Sequence, residues 1–218
     1  MEVKIIEDNY SIALQTVIRH ESTKKEDLRN ALIKLGSKVG IDLVSDNMLM
    51  EAKVNTPMQQ SFQGYLFSKK QNILYSTKDD YEFFARGILS EVPNTLQGYF
   101  DFQGVRGKDA LVQPIRAVSH PPIKPGTIID TAIIAKAVLA TGCTAISLAK
   151  NILSKYYPKN LIIVSAFYSQ EGIQELVSEI PTIKSIYIVG GPDSLNEDGM
   201  LIPGVGNLDD RLSSSDLS

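Results

Sequence analysis

The sequence predicts an α/β fold built on a parallel β-sheet with helices packed against it. Residues 127–135 form a nearly continuous apolar run, which is typical of a strand buried on both faces. Strand-length apolar runs then alternate with short helical segments through the second half of the chain, as parallel βαβ units do. With 43% hydrophobic and 22% charged residues in 218, the chain can bury a substantial core, so we expect a single domain over 1–218.

The N-terminal part predicts two helices. Residues 12–18 form the first, and residues 24–39 place Leu28, Leu32 and Leu35 at helical spacing. Thr23 precedes this second segment and Glu26 lies three residues after it, which is the arrangement of a capping box. We therefore expect an amphipathic helix whose first turn is capped by the Thr23 hydroxyl.

Residues 49–76 show a different pattern. Met50, Ala52 and Val54 alternate with polar residues, and short apolar runs follow at 65–67 and 73–75. Alternation with a period of two residues predicts strands with one buried face. We expect a small antiparallel β extension over 49–76, followed by a helix over 81–89.

The second half of the chain predicts the sheet itself. Strands are expected at 96–102, 127–135, 161–166 and 186–189, helices at 145–153 and 170–178, and a loop-rich connection at 104–125. Ligands of open α/β proteins bind beyond the carboxyl ends of the strands. The loops that follow these strands are therefore candidate binding sites.

The composition argues against nucleic-acid and membrane roles. The formal net charge is −3 and no segment concentrates Lys and Arg, whereas a nucleic-acid binder carries a basic face. The N-terminus lacks both the ~7–15 apolar residues of a signal peptide and the ~20 of a membrane span. The lone Cys143 cannot form an internal disulfide, which fits a reducing compartment. We expect a cytoplasmic protein.

The first candidate site is the loop between the strand at 127–135 and the helix at 145–153. It contains Ala140, Thr141, Gly142, Cys143 and Thr144, which are small or hydroxyl-bearing residues at a predicted helix N-terminus. Backbone N–H groups and the helix dipole at such a position favour a phosphate. The alternative is a tight turn in which Gly142 only supplies an unusual backbone angle, and one glycine does not decide between them.

The second candidate site is the segment rich in glycine that follows the last predicted strand. It has G-G-P at 190–192 and P-G-V-G at 203–206. Glycines leave backbone N–H and C=O groups uncovered, which suits hydrogen bonding to a small planar ring. The alternative is a long surface loop, which this segment alone favours.

Taken in order, the two segments resemble one family. The run L-N-E-D-G-M-L-I-P-G-V-G at 195–206 strongly resembles the base-binding segment of uracil phosphoribosyltransferases. A-T-G at 140–142 matches the family's phosphoribosyl-binding loop, and similar stretches lie at 18–23, 87–93 and 169–173, so the resemblance covers nearly the whole chain. It implies a phosphoribosyltransferase-like parallel sheet flanked by helices, the antiparallel β extension, and a C-terminal base-binding hood over 190–211.

The resemblance also implies a reaction and its ligands. The family transfers a phosphoribosyl group from phosphoribosyl pyrophosphate (PRPP) to uracil, giving uridine monophosphate (UMP) and pyrophosphate. Residues 140–144 would hold the 5′-phosphate, and the base would contact Met200, Leu201, Ile202, Gly204, Gly206 and Asn207. The implied ligand is a nucleotide, a phosphate or PRPP, with no tightly bound cofactor and with Mg²⁺ only if PRPP binds. Family members are typically dimers or tetramers, so we expect a homo-oligomer or an assembly with an active homologue.

The departures from the family pattern fall on residues that would meet PRPP. Lys136 replaces the Asp that hydrogen-bonds the ribose in the family, and an ammonium group can only donate. Asp79 and Asp80 fall on the family's R-A-G pyrophosphate loop, where carboxylates repel a pyrophosphate. Arg106 occupies the family's mobile active-site loop and is a further candidate for a phosphate contact. Asn207 replaces the Asp that closes the base segment.

These departures lead to a prediction about activity. We expect a divergent relative that keeps a nucleotide or phosphate pocket, has lost efficient transfer, and serves a binding, sensing or partner role. The alternative is an active enzyme that makes UMP in pyrimidine salvage. The sequence predicts no set of metal ligands and assigns no catalytic residue, and Cys143 is a weak candidate nucleophile because no His lies near it in sequence.

Overall fold

The fold is seen in a computed structural model, which describes residues 1–102, 108–112, 115 and 117–213. The strands are β1 Glu2–Ile6, β2 Leu49–Asn55, β3 Ser61–Phe67, β4 Asn72–Thr77, β5 Thr95–Asp101, β6 Ala117–Ser119, β7 Ile128–Leu139, β8 Tyr157–Tyr168, β9 Ile183–Val189, β10 Ser194–Leu195 and β11 Leu201–Ile202. The helices are α1 Asn9–Arg19, α2 Lys25–Asn47, α3 Lys78–Tyr81, α4 Phe84–Glu91, α5 Asp109–Val112, α6 Cys143–Lys155, α7 Gln170–Glu179 and α8 Leu208–Ser213.

A seven-stranded sheet organises the molecule, in the order β1-β9-β8-β7-β4-β5-β6. Every neighbouring pair is parallel except β5 and β6, which are antiparallel. This confirms the predicted parallel sheet. The two longest strands, β7 and β8, lie at its centre, and apolar residues fill both of their faces because helices cover the sheet on each side.

The two faces of the sheet bury separate cores. On β7, Ile133 and Ala135 face the core that contains α1, α2 and α4, whereas Ala132 and Ile134 face the core that contains α6 and α7. Successive side chains of a strand point to opposite faces, which is why one continuous apolar run supplies both cores. The long run at 127–135 could therefore be predicted as a central strand from its composition alone.

Helices α2 and α4 touch backbone to backbone. A Cβ atom added at Gly36 would lie 2.1 Å from the carbonyl oxygen of Phe84, and one added at Gly87 would lie 2.0 Å from that of Ile33. Only glycine permits this approach. The contact fixes α4 over the sheet, and α4 in turn places the short helix α3 beside the ends of β4 and β7.

The predictions for the first half of the chain are right about the β extension and wrong in some of their bounds. The predicted small antiparallel β extension is confirmed as the hairpin of β2 and β3, but it ends at Phe67 rather than at residue 76, because β4 is buried along its whole length and joins the main sheet. The predicted helix over 81–89 is two helices, interrupted at Phe83, which has a non-helical backbone. Strand β1 was not predicted, since it is a five-residue edge strand with mostly exposed side chains.

The predicted capping box at the start of α2 is also wrong. The helix begins at Lys25 with Lys24 as its N-cap, and that cap has no side-chain hydrogen bond. The Thr23 hydroxyl instead donates to the carbonyl of Val17 at 2.6 Å. The hydroxyl therefore closes the turn between α1 and α2.

The glycine contact between α2 and α4 gives a test of the packing. Gly36→Ala should lower the free energy of unfolding by about 1–3 kcal/mol, because the added methyl group meets a backbone carbonyl that cannot rotate away. Gly191→Ala is the control, since a Cβ there has nothing within 4 Å. Urea denaturation of both variants measures the difference, and equal free energies of unfolding would contradict the close approach.

Candidate functional site

A cavity of about 440 Å³ lies beyond the carboxyl ends of β4 and β7. This volume is within the range of small-molecule sites in proteins. Three walls enclose it: the loop between β7 and α6, the C-terminal segment around β11 and α8, and the region of Thr77 and α3. All of the described residues predicted to contact a ligand lie in these walls or directly beside them.

The loop between β7 and α6 forms the first wall. Ala140, Thr141, Gly142, Cys143 and Thr144 all line the cavity. Gly142 is the N-cap of α6 and has a φ of 79°, so the first turn of a 13-residue helix begins inside the cavity wall. The first N–H groups of a helix have no intrahelical partner, and the dipole makes this end positive. The loop can therefore receive an anion and also uses the unusual glycine angle.

Helix α7 supports this loop from behind. The Ser169 hydroxyl donates to the carbonyl of Ala140 at 2.6 Å and accepts the N–H of Gly172 at 2.8 Å. A Cβ at Gly172 would lie 2.0 Å from the Ala140 oxygen, and a Cβ at Gly142 would lie 2.6 Å from the Gly172 oxygen. The two segments that matched family motifs at 140–142 and 169–173 are thus in direct contact, which explains the glycine in each.

The hood forms the second wall. Strands β10 and β11 pair so that Leu195 lies opposite Leu201, and a turn through Gly199 joins them. A Cβ at Gly199 would lie 3.1 Å from the methyl group of Thr141, so the tip of the hood packs over the phosphate loop. Of the residues predicted to contact a base, Met200, Leu201, Ile202 and Gly206 line the cavity.

Two predicted base contacts are not part of the wall. The N–H of Gly204 donates to Asp193 at 3.2 Å, and its carbonyl accepts from Arg19 at 2.8 Å. The side-chain amide of Asn207 donates to Asp210 at 2.5 Å. Both residues already hydrogen-bond to other protein groups, and their direct contact with a base stays a prediction.

An ion pair closes the third wall. The Nζ atom of Lys136 donates to a carboxylate oxygen of Asp80 at 2.7 Å, and the Thr77 hydroxyl donates to the same oxygen at 2.9 Å. Only 18% of the Lys136 side chain and 8% of the Asp80 side chain are exposed. The two groups predicted as ligand contacts are bound to each other, Lys136 from β7 and Asp80 from α3.

Further carboxylates crowd the same end of the cavity. Asp79 lines it beside Asp209, and the pKa of Asp79 is raised by loss of hydration and by the negative charge of Asp209. Lys78 points away from this group and binds Asp101 at 3.1 Å. Among the described residues of the cavity wall, Lys136 is the one basic side chain. This end of the cavity is therefore acidic, whereas the phosphate loop is electropositive.

Arg106 and Cys143 are the remaining candidates from the sequence. Arg106 lies outside the described residues. Cys143 lines the cavity, is buried, and has its Sγ 3.9 Å from the carbonyl of Thr141. The described residues contain no group of three or more His, Cys, Asp or Glu that could hold a metal, and no helix long and apolar enough to cross a membrane.

Some lining residues were not predicted. Asn196, Asp198 and Leu208 line the cavity, and Asp209 joins the acidic end. The first two lie inside the motif at 195–206, so their position in the hood could have suggested them. The place of Asp209 near Asp79 depends on the path of α8, which local sequence does not indicate.

The fold is of the phosphoribosyltransferase type. Adenine phosphoribosyltransferase from Trypanosoma brucei, solved with AMP, pyrophosphate and ribose 5-phosphate, matches with a TM-score of 0.50 at 8% identity over 84% of this chain and 80% of that one. The AQ2163 protein from Aquifex aeolicus matches with a TM-score of 0.76 at 24% identity, over 98% of this chain and 100% of that one. At these identities the likeness concerns the fold alone.

Sequence similarity identifies the family. A uracil phosphoribosyltransferase from Haloarcula marismortui is 30% identical over 203 residues, which cover 90% of this chain and 88% of the relative. The family described as uracil phosphoribosyltransferase matches residues 108–214, a range that includes the phosphate loop and the hood. The chain belongs to the uracil phosphoribosyltransferase family, as the sequence motifs predicted.

The ion pair in the third wall gives a second test. Lys136→Met should lower the free energy of unfolding by about 3 kcal/mol, because it leaves the Asp80 carboxylate buried without its cation. Adding Asp80→Asn should recover a large part of that loss. Urea denaturation of the wild type, both single variants and the double variant at pH 7 measures the coupling between the two side chains.

An exposed pair provides the control for this cycle. Lys150 and Glu179 are in contact at 2.6 Å, with 54% and 44% of their side chains exposed. Pairs of this kind contribute about 0.2–1 kcal/mol. If the Lys136–Asp80 coupling energy were no larger than that of Lys150–Glu179, the ion pair would not be a buried structural element of the cavity.

Proposed function

We propose that the cavity binds a pyrimidine nucleoside monophosphate and that the protein has lost efficient phosphoribosyl transfer. The carrying observation is the Lys136–Asp80 ion pair in the cavity wall. By the family resemblance, these two positions would meet the ribose and the leaving pyrophosphate. A binding, sensing or partner role follows from a pocket of this kind.

The phosphate end supports the binding half of the proposal. The loop at 140–144 lines the cavity at the start of α6, and Thr141 and Thr144 add hydroxyl groups to its backbone donors. Helix N-termini of this kind bind phosphate groups. The hood supports the base end, because its tip packs against Thr141 and its backbone reaches the same cavity. A single nucleotide can therefore contact both walls.

The third wall supports the loss of transfer. In the family, an Asp at the position of Lys136 hydrogen-bonds the ribose hydroxyls, and an R-A-G loop at the position of residues 79–81 receives pyrophosphate. In this chain Lys136 is a cation bound to Asp80, and residues 79–81 present the carboxylates of Asp79 and Asp80. Two unit charges ~4 Å apart interact by ~1 kcal/mol in water and ~4 kcal/mol near a protein surface, so Asp79 and Asp209 disfavour PRPP more than a monophosphate.

The rate penalty follows from the same substitutions. Phosphoribosyl transfer depends on positioning and on stabilising the charge that develops as pyrophosphate leaves. Loss of one electrostatic group of this type commonly costs ~10²–10³ in rate. Since the substitutions affect both the ribose and the pyrophosphate contacts, we expect turnover to fall by more than one such factor.

An active enzyme of pyrimidine salvage is the second candidate. The observation that favours it is the coexistence of the phosphate loop and the hood around one cavity, together with the 30% identical relative named uracil phosphoribosyltransferase. Mg²⁺ would then have to accompany PRPP and offset the carboxylates, which are groups that this ion binds. Assembly with another copy or with an active homologue stays a prediction from the resemblance.

The decisive experiment is an assay of UMP formation from uracil, PRPP and Mg²⁺. The wild type should show turnover at least ~100-fold below that of an ordinary family member measured in parallel. Turnover equal to that of the family member would contradict the proposed loss of transfer and support the second candidate. Thermal unfolding with UMP tests binding independently, because a ligand at 100 times its dissociation constant stabilises by ~2.7 kcal/mol.

A restoring variant sharpens this assay. Asp79→Arg, Asp80→Ala and Lys136→Asp together recreate the family's pattern at the three positions, and we expect this variant to form UMP faster than the wild type. The control reverses a remote exposed pair with Lys150→Asp and Glu179→Arg, which changes charge without touching the cavity. An equal gain in both variants would show that the effect does not arise in the site.

A further inference from the structure

A largely buried ion pair ties the end of α1 to the hood, and neither of its residues lines the cavity. Arg19, the last residue of α1, donates from its two terminal nitrogens to the two carboxylate oxygens of Asp193, at 2.8 and 2.9 Å. Only 5% of the Asp193 side chain and 24% of the Arg19 side chain are exposed. The guanidinium group also lies 4.7 Å from the ring centre of Phe167. Both charges are therefore held in one geometry.

This pair holds both backbone groups of Gly204. The Gly204 carbonyl accepts from Arg19 at 2.8 Å, and the Gly204 N–H donates to Asp193 at 3.2 Å. Gly204 has a φ of 64°, and a Cβ there would lie 2.2 Å from the carbonyl oxygen of Leu201, so the turn is tight. Ile202 and Gly206, two residues to either side, line the cavity. Fixing Gly204 fixes the direction of the peptide groups that face the ligand.

A second arginine anchors the same turn to the same helix end. One terminal nitrogen of Arg211 donates to the carbonyl of Val205 at 2.8 Å and to that of Ile18 at 2.6 Å. The other donates to the carbonyl of His20 at 2.9 Å. The segment 204–205 is therefore tied at both residues to the last turn of α1, which the sheet holds in place through Gln15.

Asp193 contacts the hood and the phosphate wall through different groups. Its carboxylate holds Gly204, whereas its backbone N–H donates to the carbonyl of Tyr168 at 2.8 Å beside Ser169. Ser169 is the residue whose hydroxyl supports Ala140 in the phosphate loop. A change confined to the Asp193 side chain therefore reaches the base side of the cavity and leaves the backbone contact to the phosphate side in place.

We infer that Arg19 and Asp193 are positioning residues that set the selectivity of the cavity for a ligand carrying a pyrimidine base. They do not touch the ligand. They hold Gly204 so that the backbone of Ile202 and Gly206 faces the edge of the base in one orientation. A bidentate pair between a guanidinium and a carboxylate suits this role, because its two parallel hydrogen bonds fix an angle as well as a distance. The inference rests on the proposed function, since it requires a nucleoside monophosphate in the cavity.

The test compares two ligands by isothermal titration calorimetry. UMP contacts both walls, whereas ribose 5-phosphate carries the same phosphate without the base. Asp193→Asn should weaken UMP binding about tenfold, equivalent to ~1.4 kcal/mol, and should change the affinity for ribose 5-phosphate by less than about twofold. Arg19→Lys keeps the positive charge but cannot form the bidentate pair, so it should also weaken UMP binding. This variant replaces Asp193→Asn in the test if Asp193→Asn does not fold.

Asp8→Ala is the control for a general loss of stability, because alanine cannot accept the capping hydrogen bond. Asp8 caps the other end of α1, accepts from the Ser11 N–H at 3.0 Å, and has no contact with the hood. It should lower the melting temperature and leave both affinities unchanged. Equal weakening of UMP and ribose 5-phosphate by Asp193→Asn, or unchanged UMP binding, would overturn the inference. A wild type that binds neither ligand would contradict the proposed function itself, and with it the inference.

Discussion

Lys136 and Asp80 meet because β4 ends beside Lys136 of its parallel neighbour β7. Ser76 of β4 lies opposite Ala135 of β7, so Thr77, the last residue of β4, stands level with Lys136 at this rim of the sheet, while β7 continues to Leu139. Helix α3 then brings Asp80 back over this rim, where it accepts from both Thr77 and Lys136. The register of two strands thus places an internal ion pair in the third wall of the cavity. The shape and charge of the third wall depend on it.

This pair divides the cavity into two electrostatic halves. At the phosphate loop, the start of α6 offers unpaired N–H groups and a positive dipole. At the opposite end, Asp79 and Asp209 stand close enough to raise the pKa of Asp79, and the nearby Lys136 is already bound to Asp80. One phosphate fits the first half by charge, whereas the second half disfavours a pyrophosphate. This division is the physical basis of the proposal that the cavity binds a nucleotide without efficient transfer.

The local motifs could be predicted from the sequence because their geometry is local. The loop at 140–144 requires only a strand, a small residue and a helix start, and the turn at Gly199 requires only its own hairpin. Residues 73–75 are wrongly predicted to belong to the β extension because their place depends on distant strands. A short apolar run looks the same in an edge hairpin and in a buried parallel strand, and only pairing with β5 and β7 decides between them.

The contacts that set the chemistry of the cavity could not be predicted in this way. Lys136 and Asp80 are 56 residues apart, and Arg19 and Asp193 are 174 apart. The sequence shows that a cation, Lys136, and a carboxylate, Asp80, stand where the family has other residues. It does not show that these two side chains form an ion pair with each other. Gly204 was expected to contact a base because its motif is intact, yet its N–H serves Asp193. Motifs identify which segments meet, whereas hydrogen bonds decide which atoms remain for a ligand.

The central claim is that the cavity prefers a nucleoside monophosphate to PRPP. It is tested most directly by isothermal titration calorimetry of the wild type with UMP and with PRPP plus Mg²⁺, under the same buffer and salt. The account predicts that UMP binds at least about tenfold more tightly, a difference of ~1.4 kcal/mol. PRPP binding as tight as that of UMP, or tighter, would contradict it.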